Sequence, residues 1–422
     1  MWIAVPGTDA GAIANTCQAR NTTKGGSNHS DLQGVIDAAS PGDTIEVRNV
    51  CVGTFVIATD LTIVGRPTAA VPRPILDGHA QNSVLTVDAT VTVANLAIMH
   101  GNGDSGGGIA TTGTLTLRNV VVRANRGEGG GIYNTGALTM NGSTSVRHNY
   151  AGGILNNGTL TMNDTSSVTE NRWRSAIFGV GDVTMNDTST VARHRHFAGI
   201  ATDGTITLND EASVRDNDAF YGIWVYAGGE LVMNGSSSVA HNAGGIANEG
   251  TTTLNDSASV HGNHAPRRGG GVYNLLGSVL VMNGSSVIRG NTALAAGGGI
   301  FNLGTAALEG SATVRGNRSS GVGGGITNKL TLTLKGDSVI AGNDAATNGG
   351  GISNRNAGSV ALNDTPSIHN NTADADDDGN GVGGGILCDT GSVTGAVDGG
   401  NVNDNYRGTA PPVEDNIVTR SC

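Results

Sequence analysis

Short apolar peaks separated by Gly and Asn turn formers recur along almost the whole chain. In residues 129–149, GGGIYNTGALTMNGSTSVRHN, the peaks are Ile132, Leu138/Met140 and Val146, and Thr135-Gly136 and Asn141-Gly142 divide them. The apolar residue after the glycines marks the period: Ile109, Ile132, Ile154, Ile177, Ile200, Ile223, Ile246, Val272, Ile300, Ile326, Ile352 and Ile386. The steps are 22 or 23 residues through Ile246, then 26 to 28, with one of 34. Alternation over a few residues, bounded by Gly and Asn, predicts strands, and no window holds a helical period. Three short strands per repeat, each stacked on its equivalent one turn later, make a parallel β-helix rising about 4.8 Å per coil. The repetition has a physical reason: one coil cannot bury its own apolar face, whereas a stack can.

Stacking turns positions into columns. Asparagine follows the first peak at Asn134, Asn156, Asn248, Asn274, Asn302, Asn328 and Asn354, and the second at Asn141, Asn163, Asn186, Asn209, Asn234, Asn255, Asn283 and Asn363. A third column includes Asn149, Asn171, Asn217, Asn242, Asn263 and Asn317. Stacked amides can hydrogen-bond along such ladders. Ahead of the repeats, SDLQGVIDAASPGDTIEV offers a capping box, Ser30 with Gln33, and apolar Leu32, Val35, Ile36 and Ala39 at helical spacing. A short helix there would cover the open first coil. The expected organisation is an N-terminal segment with capping helix over 1–43, a β-helix over 44–388 and a C-terminal capping segment over 389–422. Early strands are expected at 44–47, 54–57, 61–64, 84–87 and 91–98.

The run LQGVIDAASPGDTIEV, followed by GGGI-N-GTLTL repeats, resembles the bacterial right-handed parallel β-helix proteins of the pectate-lyase-like superfamily. It is similar above all to their glycine-rich surface and secreted members, in the style of polymorphic outer-membrane and autotransporter passenger repeats. The resemblance covers about residues 30–388. It implies an all-β, single-stranded right-handed β-helix with three strands per coil and coils of 22–28 residues. It implies no single activity, because one such fold carries many functions. The catalytic sets of polygalacturonases and of the lyases are not assembled in this chain.

Composition narrows the classes. Sixty-eight glycines and 3% aromatic residues require a core of closely packed small residues. A net charge of −11 argues against general nucleic-acid binding. No apolar run approaches the ~18 residues of a membrane helix. Residues 1–16 show neither the basic nor the apolar region of a signal peptide, so a secreted protein would be represented here in mature form or as a truncated copy. Cys17 and Cys51 lie near one end, Cys388 and Cys422 near the other, which suggests two local disulfides. Free thiols in a reducing compartment are the alternative.

Candidate chemistry lies where the repeat fails. The column three places before the first-peak Ile reads Gly106, Gly129, Ala151, Arg174, Phe197, Phe220, Ala243, Gly269, Gly297. Half of the chain's aromatic residues fall between Trp173 and Tyr226: Trp173, Phe178, Phe197, Phe220, Tyr221, Trp224 and Tyr226. Arg172, Arg174, Arg193, His194, Arg195 and His196 share that stretch. Aromatic faces pack on sugar rings, and Arg pairs with carboxylate or sulfate, so the patch reads as a binding surface for carbohydrate, an acidic polysaccharide by preference, or for a cell-surface partner. The alternative is local packing at a bend. Glu170 and Asp216, two rungs or roughly 9–10 Å apart with Arg193 between, are candidate acid–base residues of a polysaccharide lyase or hydrolase. An alternating-charge ladder on a solvated face is the simpler explanation of the same residues. Asp218 is a further candidate. Asp374, Asp376 and Asp378 before Gly379 match the first half of a calcium loop, making calcium the one cofactor suggested; a solvated acidic loop is the alternative. Thr-Xaa-Thr pairs such as Thr159/Thr161 and Thr205/Thr207 resemble ice-binding arrays, but Asp182, Glu230 and Val232 interrupt them.

Overall fold

Each apolar peak becomes a strand whose neighbours lie one coil before and one coil after it. The computed structural model describes residues 16–389, 391–395, 402–408 and 413–419. Three long sheets run the length of the molecule. Sheet A has 16 strands and includes Thr159–Met162; sheet B has 15 and includes Ser167–Thr169; sheet C has 15 and includes Ile177–Gly179. Pairing is parallel throughout these ladders apart from the first strand, Gln18–Asn21, which runs antiparallel to Asp43–Arg48. The fold is an all-β parallel β-helix with one short helix.

Register follows the columns. Ile132 pairs with Ile109 and Ile154, Leu138 with Leu160, and Val146 with Val168, each within 1% of complete burial. A slip of one residue would turn every such column outward, which pins the stack. The glycine triplets belong to the same logic. In the coil before Ile300, Gly297 takes a left-handed φ of +64°. A β-carbon on Gly298 would lie 2.4 Å from the Gly324 carbonyl oxygen, and one on Gly299 would lie 3.0 Å from Asn317 Nδ2. Backbone runs against backbone and against an amide ladder here, so side chains are excluded.

All three asparagine columns form ladders. The most buried runs along the corner after sheet B, where Asn263 Nδ2 donates to Asn291 Oδ1 at 2.9 Å and Asn291 Nδ2 to Asn317 Oδ1 at 3.0 Å. It runs from Asn217 through to Asn405, and Asn125 to Asn171 form a separate stretch of the same column. A second ladder links Asn274 to Asn302 at 2.7 Å, and a third, with opposite donor direction, links Asn163 to Asn141 at 2.7 Å.

A fourth sheet is absent from the sequence reading. Its seven strands include His264–Ala265, Thr292–Ala293 and Arg318–Ser319. Each inserts an extra two-residue face after the buried asparagine, which accounts for the longer steps beyond Ile246. Two-residue strands carry too little alternation to register as a pattern.

At the N-terminal end the helix spans Leu32–Asp37 and buries Leu32, Val35 and Ile36. Its N-cap is Asp31, whose Oδ1 accepts from the Gly34 amide at 3.0 Å, and not Ser30. Gln33 does different work: its amide accepts from the Val56 N–H at 2.9 Å and donates to the Val56 carbonyl at 3.0 Å. It thereby occupies backbone groups of Phe55–Ile57, the first strand of sheet C, that no coil precedes. The run 91–98 divides into Thr90–Ala94 and Ala97–Met99. Cys17 and Cys51 form a disulfide beside this end. Cys388 is disulfide-bonded as well; Cys422, its expected partner, lies outside the described residues. The ladders do not stop at Cys388, since Gly391–Gly395, Val402–Asn403 and Ile417–Thr419 continue sheets A, B and C.

Candidate functional site

At the corner after sheet B, each coil sets one residue in the left-handed region just before the ladder position. In later coils that residue is Gly262, Gly290, Gly316 and Gly342, with φ of +59° to +63°. In earlier coils it is His148, Glu170, Arg193, Asp216 and His241, with φ of +55° to +60°. A β-carbon in this conformation crowds the following carbonyl and costs about 1 kcal/mol per residue. Trp173, in the loop that follows, adds another at φ +75°. Five successive coils thus hold large polar side chains in a left-handed conformation that glycine takes in the next four coils, and that His100, Ala124, Asn370 and Asp404 take towards the two ends of the column. Strain of this kind gathers at functional sites.

Four of these five side chains, all but His241, wall a groove of about 610 Å³, lined by His148, Glu170, Asn171, Arg172, Trp173, Arg193, Arg195, His196, Asp216 and Asp218. The Trp173 side chain is 64% exposed, and its ring stacks on His196 at 5.2 Å with an interplanar angle of 14°. Arg193 Nε donates to Glu170 Oε1 at 2.6 Å, and His148 Nδ1 lies 3.3 Å from Glu170 Oε2. The Arg193 hydrogen bond holds the Glu170 carboxyl below the usual carboxylate range. Arg215 donates to Asp216 at 2.6 Å. The lining holds three arginines and three carboxylates, so the groove offers donors and acceptors in balance rather than a surplus of positive charge.

Directly behind Arg193, the asparagine ladder is broken. His194 stands at the ladder position between Asn171 and Asn217 and is fully buried. Its backbone N–H still donates to Asn217 Oδ1 at 3.1 Å, but neither ring nitrogen makes a hydrogen bond of good geometry. Burial pushes its pKa down to about 4, against a weaker opposing pull from the nearby carbonyls of Val168 and Asn171.

The remaining residues of the sequence-predicted patch lie elsewhere. Trp224 is on sheet C, in register with Ala201 and Ala247, half-buried between Tyr221 at 5.8 Å and Tyr226 at 5.7 Å. Its Nε1 donates to Glu249 Oε1 at 3.1 Å. Phe197 and Phe220 form an exposed pair at 5.9 Å, and Arg174 lies over the Phe178 ring at 5.3 Å. The predicted patch therefore divides into a groove around Trp173 and a separate aromatic face around Trp224. His148 escaped the sequence reading, although its place two residues after Val146 puts it in the column of Glu170 and Arg193. On the groove's N-terminal side, Tyr150 has Arg126 over its ring at 4.6 Å and Arg172 at 5.7 Å. It lines a second groove of similar volume with Asp77, His79 and His100.

In the long loop before Ile386, the carboxylates of Asp374, Asp376 and Asp378 come within 4.8 Å of one another, the spacing a hard cation needs. Asp374 is buried, accepts from the Gly379 amide at 3.1 Å and has Arg407 at 3.8 Å. Backbone and side-chain hydrogen bonds from Asn380 lower the Asp378 pKa. Among the described residues, no helix is long and apolar enough to cross a membrane. Comparisons with protein-family models, with curated proteins and with solved structures give no match for this chain.

Proposed function

We propose that this β-helix is a secreted or cell-surface protein that binds a polysaccharide chain along the groove of coils 148–218, without catalysis. Trp173 carries the reading. An exposed indole, held on a strained backbone and backed by a parallel imidazole, is a platform for the apolar face of a sugar ring. The paired arginines and carboxylates around it match the donors and acceptors of sugar hydroxyls. The Cys17–Cys51 disulfide fits an oxidising compartment.

A polysaccharide hydrolase or lyase is the competing reading. A hydrolase of the two-carboxylate type needs one carboxylic acid kept protonated, and Glu170 is pushed the other way by Arg193. Reducing-end and unsaturation assays on acidic polysaccharides test it, and turnover by the wild type that disappears in Glu170→Gln would establish an enzyme.

Two tryptophans test the binding site. Trp173→Ala should weaken binding on a glycan array hit by roughly 1–3 kcal/mol with little change in melting temperature, since its ring is mostly exposed. Trp224→Ala should do the opposite, lowering the melting temperature through lost packing and the lost Glu249 bond while leaving affinity intact. Unaltered glycan binding by Trp173→Ala would remove the site from this groove.

A further inference from the structure

Farther along the same corner the chemistry changes from paired charges to unpaired ones. Arg289 and Arg315 end consecutive strands of sheet B and pair in register, so their β-carbons stack about 4.8 Å apart. Both side chains are exposed. Among the described residues, no carboxylate forms an ion pair with either. His261 is the register partner of Arg289 one coil earlier, and His264 and Arg318 extend the same coils across the corner. Asp344, the register partner of Arg318, is the carboxylate facing this group. The proximity of Arg289 and His241 adds to burial in lowering the His261 pKa, a sign of local positive potential. In a protein of net charge −11, such a concentration of cations stands out from its surroundings.

We infer that the corner formed by Arg289, Arg315 and His261 binds a tetrahedral oxyanion, carried as a sulfate ester on a polysaccharide. Two guanidinium groups one rung apart can each offer paired N–H donors to one anion, which a tetrahedron of oxygens satisfies from both sides. A lone carboxylate presents two oxygens in a plane and fits one fork only. The corner glycines Gly290 and Gly316 have nothing within 4 Å of an added β-carbon, so the approach between the arginines is open. Oxyanion capture stands on the arginines alone. The polysaccharide as its source rests on the carbohydrate reading above: the corner lies on the groove's own edge, six rungs or about 29 Å from Glu170 to the Arg315 coil.

The test uses the full chain and the double variant Arg289→Ala/Arg315→Ala. Alanine already occupies this column at Ala240 and Ala341, so the variant should fold, and its melt checks that it does. Inorganic sulfate and phosphate are titrated first, at low ionic strength, followed by dextran sulfate, polygalacturonate and dextran. Wild type should bind both ions and dextran sulfate. The double variant should lose at least about tenfold in affinity for dextran sulfate, together with much of its salt dependence. Equal binding of dextran sulfate by wild type and a folded double variant overturns the inference, as does polygalacturonate binding as tightly as dextran sulfate. Binding of inorganic phosphate and sulfate without any preference for dextran sulfate over dextran also overturns the polysaccharide source. Trp173→Ala separates the two sites: if it alone abolishes glycan binding, the corner fails and the groove stands. If only the arginine variant matters, the groove fails and the corner stands.

Discussion

Asn291→Ala is expected to destabilise the β-helix by about 4 kcal/mol. The Asn291 side chain is fully buried and takes part in four hydrogen bonds. Its Nδ2 donates to the Val260 carbonyl and to Asn317 Oδ1, both at 3.0 Å. Its Oδ1 accepts from the Asn263 backbone N–H at 3.0 Å and from Asn263 Nδ2 at 2.9 Å. Truncation strips partners from the coils on both sides at once, and each orphaned buried group costs roughly 1–3 kcal/mol. Urea unfolding of the variant measures this. A loss below about 1 kcal/mol would mean that the ladders contribute shape rather than stability.

His194→Asn should act in the opposite sense. Asparagine would restore the missing rung between Asn171 and Asn217, and it would also remove an acid-sensitive term. The folded-state pKa of His194, about 4, lies below the unfolded value of 6.5. Between those values the unfolded chain binds more protons, so wild-type stability falls as pH drops through 6.5 and levels off below about 4. The full term is worth about 3 kcal/mol. The variant should melt higher than wild type at pH 5, with the gap narrowing towards pH 7. Parallel melting curves across that range would show that His194 does not carry the acid sensitivity.

Much of this architecture is legible in the sequence because a solenoid writes each contact as a repeat. Ile132 and Ile154 are neighbours in space for the same reason that they are 22 residues apart in the chain. The fourth sheet was hidden because Thr292–Ala293 and its equivalents span two residues each, within steps that read simply as longer. The helix cap moved by one residue because Ser30 and Asp31 are both good caps, and the tertiary pull of Val56 on Gln33 decided between them. At the site, the broken glycine column led to Arg174, Phe197 and Phe220, which lie outside the groove, whereas the aromatic and basic clustering and the charged column held Trp173, Glu170 and Arg193, which line it. Proximity in sequence then gathered Trp224 with them, although the residue after Ile223 faces out from sheet C and not into the corner. The strained backbone was readable only by comparison along the column, from Gly290 and Gly316 back to Glu170 and Arg193.

The histidine in the ladder also has a mechanical meaning. Every coil touches only the coils beside it, so stiffness along the axis is set rung by rung. The amide chain from Asn125 to Asn171 and the one from Asn217 to Asn405 are two separate girders, and the joint between them falls at His194. The groove lies across that joint, with Glu170 on one girder and Asp216 on the other. A polymer seated there would work as a splint, bridging the one gap in this ladder while the Asn141–Asn234 ladder and the three sheets carry the rod across it.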